Sequence, residues 1–378
     1  MVVDPRRDHS IRIPRPDLSV KLGTPNACNN CHSNKTAQWA SDSVHKWYGH
    51  ATDGFQRFAQ TLQAGSTGAP GAQQSLEQLI VDREQPAIAR AAALSMLAAF
   101  APLPADSAVR AGVADDSALV RRACAHALSN SDQAAIAAVL APLLSDPIRS
   151  VRTETAEVLA GLPANNIPQN VTAAFGRATD EYVSAQQLNA DRPEAHLNLG
   201  LLYARENHFD KAEAELKIAL SLDPSFAPAA VNLADLYRGL NRDDEGERVL
   251  MDAISSSPND ASLEHALGLL MVRQKHNVPA LDLLAAAARN EPSNARYVYV
   301  YAVALNDAGR TSAAIETLEG SIKAHPYDRD SLAAVVKFLE QSGDPAKALS
   351  YAQRLDDLEP GNPQGREMMK ELRKHLHE

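Results

Sequence analysis

Apolar and small residues recur along this chain with two periods. Between residues 75 and 162, Ala89-Arg90, Val120-Arg121 and Val151-Arg152 stand 31 residues apart, and Leu97, Leu128 and Leu159 follow the arginines by seven. A turn with Asp precedes each unit: Asp82, Asp115-Asp116 and Asp146-Pro147. The spacing predicts short helix pairs that bury an apolar stripe only by stacking on their neighbours, with each arginine paired to an Asp of an adjacent turn. Between residues 191 and 360 the period becomes 34, marked by Pro224, Pro258, Pro292, Pro326 and Pro360. Small residues hold fixed offsets inside these units: Gly200, Ala212 and Ala219, then Ala234, Gly246 and Ala253, then Gly268, Ala280 and Ala287. Ala302, Ala314 and Ala348 continue the series. Such a seam lets two helices approach closely, and the proline closes the second helix.

The remaining stretches carry no period. Residues 1–27 read as extended, because Pro14 and Pro16 bias their predecessors away from helix. A helix is expected over 35–48, and Gly, Ser and Pro make 63–74 a linker. Residues 163–190 form a connector with one helix, and 361–378 a polar capping helix, which the end of a solenoid needs. The fold class is therefore all-α. An α-solenoid of HEAT-like helix pairs (75–162) runs into a superhelix of five tetratricopeptide (TPR) repeats (191–360), behind a short, mostly irregular segment (1–62).

Composition agrees: 45% of the 378 residues are hydrophobic and only 5% aromatic, which suits stacked helices. The formal charge of −10 is unevenly spread, since residues 1–50 carry seven Lys or Arg against four acids, leaving −13 on the rest. An acidic body argues against a general nucleic-acid surface. No run of about 18 apolar residues is present to span a membrane.

The candidate chemistry lies in Cys28-Asn29-Asn30-Cys31-His32. Cys-x-x-Cys-His is the attachment pattern of a c-type haem. Cys28 and Cys31 would bond the two vinyl groups, and His32 would take the iron from the proximal side. Candidates for the second axial ligand are His9, His45, His50 and Met1. A structural zinc site needs four such ligands, and no second pair follows. Haem c is attached on the oxidising side of a membrane, so the chain is expected to be periplasmic or otherwise exported. Its opening residues lack the apolar core of a signal peptide, which implies a missing start.

Asp4-Pro5-Arg6-Arg7-Asp8-His9-Ser10, Ile13-Pro14-Arg15-Pro16-Asp17, Gly23-Thr24-Pro25-Asn26-Ala27-Cys28 and Gln38-Trp39-Ala40 together resemble one family. It is the periplasmic multihaem cytochromes c with HEAT and TPR repeats after a multihaem head. The resemblance is specific over residues 1–50 and architectural beyond. It implies an N-terminally truncated member, at least one covalent haem c, His9 as a haem-iron ligand, and redox partner proteins.

First helices of TPR repeats line a concave groove. Here that face carries Arg238, His265, Arg273, Arg296, Tyr299 and Lys337, with Asp235 and Asn306, a moderately basic surface for protein partners. No nucleophile–base pair, phosphate loop or paired catalytic carboxylates mark an enzyme. The sequence thus points to an electron-transfer cytochrome c with a docking scaffold. The alternative is a non-redox TPR/HEAT scaffold whose Cys pair is vestigial or binds zinc.

Overall fold

The computed structural model describes residues 14–50, 56–100, 107–129, 131, 133–163, 166–358 and 362–375. Among these residues every regular element is a helix, so the all-α solenoid is the observed fold.

The N-terminal part differs from its sequence reading. It holds α1 (Pro16–Leu22), α2 (Ala27–Cys31), α3 (Ala37–Tyr48) and α4 (Ala59–Thr67). Pro16 takes the first helical position, where its missing N–H is no loss. Arg15 grips Asp17 at 2.9 and 2.8 Å and fixes the entry to the helix. Residues 63–74, expected as a linker, are the end of α4 and the start of α5 (Ala72–Val81). Only the turn between them, with Gly68 and Gly71 at positive φ, is irregular.

The 31-residue array continues with α6 (Ala87–Leu97), α7 (Ser107–Val113), α8 (Ala118–Ala127), α9 (Gln133–Leu140) and α10 (Arg149–Leu159). Leu97, Leu128 and Leu159 are buried in one continuous core, and so are Ala93 and Cys124. The repeated arginines join one unit to the next. Arg90 meets Asp115 at 3.2 and 2.9 Å, and Arg121 meets Asp146 at 2.6 and 3.0 Å. Each of these Asp residues also accepts a backbone N–H at 2.8 Å, from Ser117 and Ile148 respectively. Arg152 has no further turn to reach and pairs instead with Glu181 of α11 (Thr172–Gln187), both bonds at 2.9 Å.

Beyond α11 the 34-residue array runs as α12 (Pro193–Arg205), α13 (Phe209–Leu222), α14 (Ala227–Gly239), α15 (Asp243–Ser256), α16 (Ala261–Arg273) and α17 (Asn277–Asn290). It ends with α18 (Ala295–Asp307), α19 (Thr311–Ala324), α20 (Arg329–Gln341), α21 (Pro345–Leu358) and α22 (Pro363–His375). Four of the phased prolines stand in the turns after second helices; Pro360 lies outside the described residues. Within the hairpins the seam is tight: a Cβ on Gly200 would meet Leu216 at 2.7 Å, and one on Gly268 would meet Leu284 at 2.8 Å. Every hairpin turn holds one residue at positive φ, again 34 apart: Asn207, Asn241, Lys275, Gly309 and Gly343. The far ends of the arrays also meet, where the Arg329 guanidinium lies 5.4 Å from the Phe100 ring.

Candidate functional site

Two places bear on function: the Cys-x-x-Cys-His stretch and the inner face of the 34-residue array. In the first, α2 is a five-residue helix capped by Asn26, whose side chain accepts the Asn29 N–H at 3.1 Å. Cys28 is half-buried and Cys31 exposed, both as free thiols. The His32 ring packs on Trp39, 5.0 Å between centroids. A cleft of about 610 Å³ opens beside α2, lined by Leu18, Leu22, Ala27, Asn30, Leu62 and Met96 among others, and not by Cys28, Cys31 or His32. His45 is exposed on the last turn of α3, and His9 lies outside the described residues. Among the described residues no three His, Cys, Asp or Glu side chains converge where a metal ion can be held. The motif residues therefore do not fit an iron or zinc site. This overturns the expectation of haem c, and with it that of iron, a cytochrome and electron transfer.

On the inner face, first helices of neighbouring repeats pack on each other: α12 on α14, α14 on α16, and α18 on α20. Arg238, His265, Arg273, Arg296, Tyr299 and Lys337 all sit on these helices, as the repeat register requires. The basic character expected of them is not what the structure shows. Arg238 binds Asp235 at 3.0 Å, and Arg273 takes Asp243 by two bonds of 2.9 and 2.6 Å. Arg296 faces Asp330 at 3.5 Å and lies 5.3 Å over the Tyr299 ring. Each of the three arginines thus has a carboxylate that offsets its charge. Between the charges the face is apolar, with Leu269 and Val272 each more than two-fifths exposed. A cleft of about 560 Å³ opens there, lined by Val231, Ala234, Leu250, His265, Ala266, Leu269, Leu270 and Tyr297, with Asp235, Arg238, Ser262 and Arg273 completing it.

The family model for the tetratricopeptide repeat matches residues 193–226, 227–260 and 267–329. The chain carries tetratricopeptide repeats. The first two matches begin where α12 and α14 begin, so the sequence period and the helix phase are the same repeat. Similar solved structures include YrrB, described as a TPR protein with an unusual peptide-binding site, at 19% identity over 50% of this chain and 97% of that one, TM-score 0.39. PilF of Pseudomonas aeruginosa is 20% identical over 49% of this chain and 84% of its own, TM-score 0.43. The type IV pilus biogenesis factor PilW is 19% identical over 52% and 91%, TM-score 0.44. No curated protein matches the chain. The family matches name the repeat and no cytochrome, so the resemblance of residues 1–50 to multihaem cytochromes has no support beyond those residues. Among the described residues no helix is long and apolar enough to cross a membrane.

Sequence reasoning placed Asp235 on this face but missed Asp243 and Asp330, the partners of Arg273 and Arg296, and the exposed Leu269 and Val272 beside them. Asp243 opens α15, 30 residues before Arg273 in sequence, and only the stacking of the repeats brings the two together. Leu269 is readable in hindsight: it stands 34 residues after Asp235, the groove position of the preceding repeat.

Proposed function

We propose that this chain is a non-redox, non-enzymatic scaffold, and that the inner face of its TPR array binds a segment of a partner protein. The observation that carries the proposal is the open, half-apolar cleft of about 560 Å³ on that face. Exposed aliphatic side chains grouped on one concave surface mark an interaction site rather than ordinary surface. Arg238, His265, Arg273, Arg296, Tyr299 and Lys337 border the bound segment. The 31-residue array and its buried ion pairs serve as a stiff support. Redox partners fall away with the haem, and an exported location loses the haem argument that supported it.

The test is selection of short random peptides on the full chain, followed by hydrogen exchange with and without a selected peptide. Protection of α14, α16 and α18 is the expected outcome. Protection confined to other helices, or no selectable peptide at all, overturns the proposal.

A further inference from the structure

Resting on that reading, we infer that the α14–α16 cleft is an anchor pocket for one bulky apolar side chain of an extended partner segment, and that His265 Nε2–H donates to a carbonyl of that segment.

The walls decide the chemistry. Ala234 and Ala266 leave the floor open where larger side chains would fill it. Leu250 and Leu270 are buried beneath, and Val231 and Leu269 flank the opening. An apolar side chain entering here is withdrawn from water against an apolar floor, which favours binding. The charges lining the rim have opposite charges beside them. Arg238 donates one bond to Asp235, and Arg273 donates two to Asp243, engaging both of its oxygens. An acidic ligand would have to compete with these carboxylates, so the cleft selects a neutral apolar group over an acidic tail.

His265 supplies the polar contact. Its ring stacks on Tyr297, 4.5 Å between centroids. Nδ1 is buried and has no hydrogen-bond partner. A buried lone pair without a donor is tolerated more often than a buried N–H without an acceptor, so the proton sits on Nε2. Nε2 is the nitrogen that is not sealed off, on a ring that lines the cleft. Burial, and then the nearby Arg296 charge, hold the imidazole below its ordinary value and keep it neutral near pH 7. A neutral N–H donor beside an apolar pocket suits a backbone carbonyl next to the anchoring side chain.

The experiment uses the full chain and peptides selected on it from a random library. The selected set is expected to share one Leu, Ile, Met, Phe or Trp at a fixed position, with no excess of Asp or Glu. Raising salt to about 1 M should change affinity by less than about threefold, because neither the anchoring side chain nor the pocket floor is charged. Filling the floor with Ala266→Phe should weaken binding by more than about tenfold, as removal of a central anchor does. Leu269→Ala, which only removes atoms from an exposed position, gives a second test of the pocket should Ala266→Phe disturb folding; a loss of about tenfold is expected. His265→Phe should keep the shape and lose the donor, again about tenfold. Two results overturn the inference while leaving the groove reading intact: peptides that protect α14 and α16 but share acidic residues and fall off steeply with salt, or peptides indifferent to both Leu269→Ala and Ala266→Phe. Peptides that protect neither helix overturn both.

Discussion

At the joints of the 31-residue array, Asp115 and Asp146 keep only 1% and 4% of their side-chain surface exposed. In the TPR array the ion pair of Arg273 with Asp243 stands 36% and 29% exposed, and the hairpins are closed by small residues instead. Both arrays stack helix pairs, yet charge serves them differently. In the first it is buried and fixes how one unit sits on the next. In the second, Arg242 and Glu213 also link neighbouring repeats, at 34% and 16% exposure, while the groove pairs lie at the surface, where they shape a face. A repeat held by a buried ion pair tolerates little motion at that joint. A repeat closed by a seam of Gly and Ala can keep exposed pairs such as Arg273 with Asp243 for the groove.

The largest effect should follow from breaking a buried joint. Asp146→Ala takes the carboxylate from Arg121, leaving it only the Asp115 and Asp116 carbonyls, and also removes the acceptor of the Ile148 N–H. Leaving one member of a buried pair uncompensated costs about 3–5 kcal/mol. Arg273→Ala, at an exposed pair, should cost about 1 kcal/mol or less. Chemical denaturation followed by hydrogen exchange in each array measures both. Equal losses would erase the contrast.

How much of this was legible in the sequence depends on where the partner lies. The 31- and 34-residue phases gave the helix hairpins, because Leu97, Leu128 and Leu159, or Pro224, Pro258 and Pro292, repeat a local requirement. The pairing of Arg90 and Arg121 with an Asp of the next turn was also readable, since both partners recur with the same period. Helix α1 was not, because Pro16 looks like a breaker until it is seen to hold the first helical position. The groove charges misled for a similar reason. Counting Arg238, Arg273 and Arg296 on one face suggests a basic surface, but their carboxylates come from other repeats or from a position that side-chain direction alone selects. Cys28, Cys31 and His32 carry a strong motif, yet a motif of spacing says nothing of where a ring will turn, and His32 turns to Trp39.

Acid should act next, on carboxyls of both arrays: Asp115 and Asp146 in the first, and Glu213, held down to about 2 chiefly by Arg242, in the second. For Asp115 and Asp146 burial works against the charge, but hydrogen bonds from Arg90 and Arg121 and from the Ser117 and Ile148 N–H groups outweigh it, so both carboxyls lie below their ordinary 3.8. A carboxyl lowered by folding stabilises above its unfolded value, and that stability is lost as pH falls through the folded one. The first array should therefore loosen below pH 3.8. The TPR array should also respond near neutrality through two histidines of opposite sign. Burial lowers His196, but the Glu215 carboxylate at 2.6 Å and the Ala190 carbonyl at 2.9 Å more than compensate and raise it. Its contribution is complete below pH 6.5 and fades as pH rises through the folded value. His265 is lowered, so its repeat should weaken as pH falls from 6.5 through its folded value. Amide exchange against pH, read separately for α12 and α16, checks this. A matching trend in the two helices would contradict the assignment.

A glycine pair sharpens the contrast at smaller scale. Gly268→Ala puts a Cβ 2.8 Å from Leu284 inside the seam, an overpacking that should cost about 1–3 kcal/mol. Gly176→Ala in α11 meets nothing within 4 Å and should gain about 0.5–1 kcal/mol from helix propensity. Thermal melts of the two variants should move in opposite directions.

The smallest effect concerns the hairpin turns. Four of the five turns place Asn or Gly at the left-handed position, and the third places Lys275 there, at φ 63. The position is fixed by the hairpin: the Lys275 N–H bonds the Val272 carbonyl at 3.0 Å, and the His276 N–H bonds the Met271 carbonyl at 2.9 Å. A lysine pays steric strain for that backbone, because its Cβ crowds the adjoining carbonyl. Glycine has no Cβ to crowd, though its freer unfolded chain cancels part of the gain. Lys275→Gly should then stabilise by about 0.5–1 kcal/mol. Lys275→Asn, which copies Asn207 and Asn241, should recover part of it without the entropy loss. A denaturation midpoint that falls in both variants would mean that the turn at repeat three is held by the lysine side chain, and that the five turns are not equivalent.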